Sequence, residues 1–406
     1  GIRDAQESRG LGDVYKRQIL RIKMSVITTS EALKELCIRL GKSEYVTVDT
    51  EFLRDKTYYS ILCLIQIADD NEFHAIDTLA AGLDLTPFYD LMENEKVLKV
   101  FHAAKQDIEI FVNMAGVIPK PLFDSQIASM VCGFGDSIGY EKLVMSLCNQ
   151  TLDKSTRFTD WSRRPLTQRQ IDYALGDVTH LRIIYKKLAA QLKENGREHW
   201  LNEELAHMLD KESYITKPVN AWKRIKIRNS NRRFNAIVHK IAQWRETEAQ
   251  RRNIPRNRVM RDEVLLELSA VRPTHKNALT SVRGLGANFS SSRGSDAVIS
   301  AIAEAMEMDE SDLPKVSHKR PPSQNTDPIV ELLKVLLKFV CKSENVAPKL
   351  IANADDLEKI AENDIANVKA LHGWRYDIFG KDAIALKNGE VAFAIKDSKI
   401  VILEHK

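Results

Sequence analysis

Asp49 and Glu51 stand two residues apart at the end of an apolar, β-branched run, Tyr45-Val46-Thr47-Val48-Asp49-Thr50-Glu51-Phe52. Side chains alternate faces along a strand, so both carboxylates project to the same side. Paired carboxylates repel one another and lose solvation. A divalent cation relieves both problems, and oxygen ligands suit Mg²⁺ or Mn²⁺. A solvated pair of acids where a strand enters its loop has the same spacing, so this pair alone does not decide between the two. Two further features carry related chemistry. Asp107 falls in the first turn of a helix that follows the strand Val97–His102, a place where the helix macrodipole alone favours an acid. Tyr173 and Asp177 lie four apart, on one face of a long helix; a phenol partly in the core and an acid in solvent would fit equally.

The elements that must position these groups are legible as patterns. Besides the central run, Ile61–Ala68, Phe73–Ile76 and Leu98–His102 read as strands. Ser30–Leu40 reads as a helix capped by Ser30, and Lys105–Ala115 as a helix ended by Gly116. Helical stretches follow at Ser125–Cys132 and Gly139–Cys148. A long helix opens at Thr167, where Gln170 three residues on completes a capping box. Its Ile171, Ala174, Leu175, Val178, Leu181, Ile184 and Leu188 keep the 3.6-residue period. Strands in succession and then strand–helix alternation predict an α/β domain, a mixed sheet flanked by helices.

The 406 residues call for two to three domains. No apolar run approaches the ~20 residues of a membrane span. The five cysteines are scattered and never paired as Cys-x-x-Cys, which argues against a zinc site or a disulfide framework and for a reducing cytoplasm. Residues 1–23 show no hydrophobic period and precede Met24. Asp13–Gln18 looks like a translated sequencing adapter, so the segment reads as an assembly scar or a disordered tail. The formal charge is only +4, but its distribution is uneven. Between Arg228 and Arg261 stand Arg228, Arg232, Arg233, Lys240, Arg245, Arg251, Arg252, Arg256, Arg258 and Arg261, with few acids. Such a stretch attracts phosphate backbones, or forms a solvated face of a helical bundle. Residues 309–328, with four prolines, read as a linker. The remainder, 329–406, opens helical and closes on a hairpin, Val391–Ile395 with Lys399–Leu403.

Taken together the acids resemble the DEDD exonuclease superfamily, in the subclass with a Tyr four residues before the last Asp, and the bacterial ribonuclease D family in particular. The carrying segments are Val48-Asp49-Thr50-Glu51-Phe52, Phe101-His102 through Asp107, and Tyr173 through Asp177. Phe123-Asp124-Ser125-Gln126, Gly139-Tyr140 through Val144, and Asp160-Trp161-Ser162-Arg163-Arg164-Pro165-Leu166 agree between them; Ser125 stands where the family usually has Thr. The resemblance spans Met24 to about Leu192. It implies a ribonuclease-H-like fold over 24–210 and a 3′→5′ exoribonuclease trimming RNA, with tRNA precursors as substrates and 5′-mononucleotides as products. It also implies two divalent metal ions, Mg²⁺ or Mn²⁺. Asp49, Glu51 and Asp177 would hold the one that binds the attacking water. Asp49 would bridge to the second, which Asp107 supports, and Tyr173 would orient the nucleophile. His102 and Lys105 would contact substrate phosphate, or be a buried imidazole and a solvated ammonium. Trp161 and Arg164 would stack or pair near the site, or pack under the long helix.

The basic region, 225–308, resembles the small all-α HRDC module, on Arg232-Arg233-Phe234, Trp244-Arg245-Glu246, Ile254-Pro255-Arg256 and Val259 through Glu263. Arg232, Arg233, Arg256 and Arg258 are its candidate RNA contacts. Residues 329–406 occupy the place of a second, degenerate module, with Gly373-Trp374-Arg375-Tyr376 as its similarity. A monomer that meets no membrane is expected. A DNA exonuclease and an RNA-binding module without catalysis are the rival readings; the presence of all four acids and the Tyr counts against the second.

Overall fold

The computed structural model describes residues 24–152, 159–229, 231–286, 288–315 and 326–404. The adapter-like segment, residues 1–23, and the centre of the expected linker lie outside them.

The N-terminal part is a six-stranded mixed sheet covered by helices, as the sequence predicts. In chain order the strands are β1 (Met24–Ile27), β2 (Tyr45–Leu53), β3 (Ile61–Ala68), β4 (Phe73–Ile76), β5 (Leu98–Phe101) and β6 (Leu122–Asp124). They lie side by side in the order β1-β4-β3-β2-β5-β6. β2, β3 and β4 pair antiparallel, whereas β1 joins β4, and β5 and β6 extend from β2, in parallel. β2 is therefore central and buried on both faces, which suits its run of Val and Thr.

The helices are α1 (Ser30–Leu40), α2 (Thr86–Glu93), α3 (Lys105–Ala115), α4 (Ser125–Val131), α5 (Tyr140–Cys148), α6 (Gln168–Glu194) and α7 (Glu198–Ala206). The cap of α1 is Thr29 rather than Ser30: the Thr29 hydroxyl accepts from the Ala32 N–H, and Ser30 instead donates to the Gly82 carbonyl. α6 begins with the expected capping box at Thr167 and Gln170. Its buried Ala174, Leu175 and Val178 pack with Cys63, Leu64, Phe73 and Ala75 of the sheet. The Thr47 hydroxyl of β2 also donates 2.8 Å to the Val178 carbonyl. That bond fixes α6 against β2 one residue from Asp177 and two from Asp49.

A second, separate apolar core belongs to the helical region. Its main helices are α8 (Arg232–Arg252), α9 (Asp262–Val271) and α10 (Arg293–Glu307). It meets the exonuclease part at the loop after β2. Tyr58 Oη donates 2.5 Å to the buried Glu246 Oε1, and Asn253 Oδ1 accepts from the N–H groups of Tyr58 and Tyr59. Residues 326–404 form α11 (Asp327–Glu344), α12 (Ala354–Glu362), shorter turns and the expected hairpin, β7 (Val391–Lys396) with β8 (Lys399–Glu404). Among the described residues this last region shares its core with the exonuclease part. Leu333, Val340, Val346, Ile351 and Trp374 belong to the same buried cluster as the sheet and helices of the exonuclease part.

Candidate active site

β2 delivers Asp49 and Glu51, and a bulge in its pairing with β3 falls immediately after Glu51. Bulges kink a strand and re-aim its side chains. α6 brings Asp177 across the sheet. One carboxylate oxygen from each of Asp49, Glu51 and Asp177 lies within 4.8 Å of the other two, and Asp177 is buried. Three anionic oxygens at that spacing form the hard donor set that a divalent cation prefers. The electrostatics agree with the geometry: burial first, then the Asp177 charge, pushes the Asp49 carboxyl well above its usual range. Charge of opposite sign would relieve that cost.

Asp107 stands beside this trio, buried in the first turn of α3, and accepts a hydrogen bond from the Thr50 hydroxyl. Burial and then the Asp49 charge raise its pKa too. The turn that aims it is held by Asp124, whose carboxylate accepts from the N–H groups of Ala103, Ala104, Gln126 and Ile127. Ala103 needs that support because its φ of 58° lies in the left-handed region.

Asp49, Asp177, Tyr173 and His102 open onto one cleft of about 530 Å³, within the ~300–1,000 Å³ of ligand-holding sites. Residues 134 and 136–142, with Leu152 and Leu181, form its other walls. His102 Nδ1 lies 2.9 Å from Ser125 Oγ, so Ser125 keeps the hydroxyl that the family's Thr would supply. Burial lowers the pKa of His102 to about 4, which leaves it neutral at ordinary pH. Lys105 is exposed, at the start of α3.

Other candidate contacts are occupied. Trp161 is buried, its ring 6.2 Å from that of Tyr173. Arg164 grips Asp77 with two hydrogen bonds, of 2.7 and 2.5 Å, and also donates to the Cys63 and Trp161 carbonyls. Trp161 packs against Ala174, Leu175 and Val178 of α6, and Arg164 ties its own segment to β3 and to the residue after β4. Arg232 and Arg233 donate to the carbonyls of Leu313 and Met308 respectively and pair with Glu310, seating the chain after α10; the Arg233 side chain is largely covered, and that of Arg232 stays partly exposed. Arg256 lines a second cleft between the exonuclease and helical parts, and Arg258 is exposed.

Tyr140 is a further residue of the site, beyond the candidates that the sequence offers. Its hydroxyl donates to the Asp177 carbonyl, and its ring is 5.1 Å from that of His102. The only sequence signal was its place beside Gly139, because a hydrogen bond to a backbone carbonyl leaves no trace in residue spacing.

Residues 24–193 match the family described as 3′-5′ exonuclease, and residues 234–296 match the HRDC domain. Fold and acids thus define the class: a 3′-5′ exonuclease carrying an HRDC module. The chain is 47% identical over 380 residues to a ribonuclease D of Granulibacter bethesdensis, covering 93% of this chain and 96% of that one. It is 48% identical over 382 residues to a ribonuclease D of Jannaschia sp., covering 93% and 99%. Among solved structures, Escherichia coli RNase D, an exoribonuclease involved in structured RNA processing, superposes with a TM-score of 0.79. That match has 28% sequence identity and covers 91% of this chain and 99% of the other. The chain belongs to the ribonuclease D family.

Proposed function

We propose that this protein removes nucleotides from the 3′ end of RNA, with 3′-extended tRNA precursors as its substrates and 5′-mononucleotides as products. The observation that carries the reading is the convergence of Asp49, Glu51 and Asp177 on one point at the edge of a cleft that Tyr173 also lines. Two Mg²⁺ or Mn²⁺ ions held there would supply a more acidic water and offset charge on the leaving 3′-oxygen.

The protein's own groups do the rest. Asp49, Glu51 and Asp177 would hold one ion, and Asp49 with Asp107 would help to hold the second. Tyr173, which lines the cleft with Asp49 and Asp177, orients the nucleophile through its hydroxyl. His102, neutral and bonded to Ser125, serves as a neutral hydrogen-bonding group on the cleft wall rather than as a phosphate-binding cation. Lys105, Arg256 and Arg258 are the candidate RNA contacts left exposed or facing a cleft. The test compares shortening of a 3′-extended tRNA precursor with that of a matched DNA strand. Faster loss of the DNA would overturn the RNA assignment.

A further inference from the structure

The wall of the catalytic cleft between Gly133 and Gly139 has an unusual backbone. Gly133 and Gly135 have φ of 82° and 89°, and Ser137, which is not glycine, has φ of 51°. A serine in that region is strained unless its surroundings hold it there. What holds this wall comes from another part of the chain. Lys349 donates from its backbone N–H to Asp136 Oδ1 and from Nζ to Ser137 Oγ, each at 3.0 Å. The Asn345 side chain fills the space beside Gly133, where a Cβ would lie 2.2 Å from Asn345 Oδ1. The Ala347 N–H donates 3.0 Å to the Met130 carbonyl just before the wall. Arg197, following α6, binds the Glu344 carbonyl at 2.7 Å and its carboxylate at 2.9 Å.

The wall leads straight to catalytic groups. Asp136, Ser137 and Ile138 line the cleft with Asp49 and Asp177. The Ile138 carbonyl accepts from Gln126 and also faces His102. Two residues on, Tyr140 binds the Asp177 carbonyl. We propose that Lys349 and Asn345 of the C-terminal region are positioning residues of the exonuclease: they hold the 133–139 wall in the shape that receives the terminal nucleotide. The C-terminal region then acts on nucleotide binding itself, apart from any contact with the body of an RNA. This inference rests on the proposed RNA-trimming reading.

The experiment measures KM and kcat of the full chain on a single-stranded tetraribonucleotide, for which contacts with an RNA body do not arise. Lys349→Ala raises KM roughly three- to tenfold, the size of one exposed charge-assisted hydrogen bond, and changes kcat little. Lys349→Arg keeps a donor and restores most of the loss. In a Ser137→Gly background, where neither the hydroxyl nor the backbone strain remains, Lys349→Ala adds little further change. An unchanged KM in Lys349→Ala, a defect seen only on long structured RNA, or a defect undiminished in Ser137→Gly would each overturn the proposal. Unfolding midpoints of all variants, read alongside, separate loss of fold from loss of positioning. If the unaltered protein fails to shorten the tetraribonucleotide, the RNA-trimming reading falls and takes this inference with it.

Discussion

The indoles of Trp200 and Trp374 stack with ring centroids 4.1 Å apart and planes 10° from parallel. Trp200 belongs to the helix after the exonuclease sheet, and Trp374 to the C-terminal region. Both are buried in one continuous core. Beside them Arg375 donates 2.6 Å to the Leu350 carbonyl and pairs with Glu203. Trp374→Ala is therefore expected to destabilise the exonuclease part, by about 3–5 kcal/mol on the scale of buried Trp truncations. Urea unfolding followed by signals from both parts checks this. Separate transitions, with the exonuclease part unchanged, would contradict it. The same seam means that deleting residues from 225 onward does more than remove the HRDC module, because it strips cover from the core of the exonuclease part.

Asp49→Asn is expected to abolish activity and yet raise the thermal midpoint of the metal-free protein. The folded pKa of Asp49 is raised by burial and by Asp177. The native state therefore binds more protons than the unfolded chain at pH values above the ordinary carboxylate range. Stability is present below that range and is lost as pH rises toward the folded pKa. Asparagine removes the charge that causes the loss. Differential scanning calorimetry with and without Mg²⁺ or Mn²⁺ checks both halves: the ions raise the midpoint of the unaltered protein, and raise that of Asp49→Asn much less.

Two histidines set an acid limb of stability. Burial lowers the pKa of both His102 and His239 to about 4, and His239 also stacks on Trp222 with centroids 3.9 Å apart. An unfolded histidine titrates near ~6.5, so between that value and about 4 the unfolded state binds more protons. Stability is complete above pH ~6.5 and falls as pH drops through this window. Replacing either residue with Gln flattens its share of the slope in denaturant midpoints between pH 7 and 4. An unchanged slope in both variants would contradict the assignment.

The strand and helix order was legible because β2 and α6 state their patterns in sequence: a β-branched run in one, a capped 3.6-residue period in the other. Asp49 and Glu51 were legible as a pair for the same reason, since period two places them together without knowledge of the fold. Asp107 and Asp177 were not readable from spacing alone. Each has a common local explanation, and only the resemblance joined them. The short strands β1 and β6 are absent from the sequence reading; they are the two edges of the sheet, each paired with a single neighbour. The cap of the first helix belongs to Thr29 and not to Ser30, since both hydroxyls stand at the helix start and only backbone geometry chooses. Arg164, Arg232 and Arg233 show the limit from the other side: a guanidinium facing a phosphate and one facing a carbonyl are the same letter in a sequence.

Tyr173→Phe separates orientation from metal holding. Loss of the hydroxyl is expected to lower kcat on RNA by about ten- to a hundredfold, within the usual reach of positioned proton-handling groups. The rise in thermal midpoint caused by Mg²⁺ or Mn²⁺ is expected to stay as in the unaltered protein. A variant that loses that metal response would make Tyr173 part of the ion's support instead.

The most direct test of the central claim uses a 5′-labelled RNA with a single-stranded 3′ tail, with and without Mg²⁺ or Mn²⁺, and Asp49→Ala beside the unaltered protein. The account predicts a metal-dependent ladder that shortens from the 3′ end and is absent in Asp49→Ala. RNA that binds but is not shortened with either metal would contradict it.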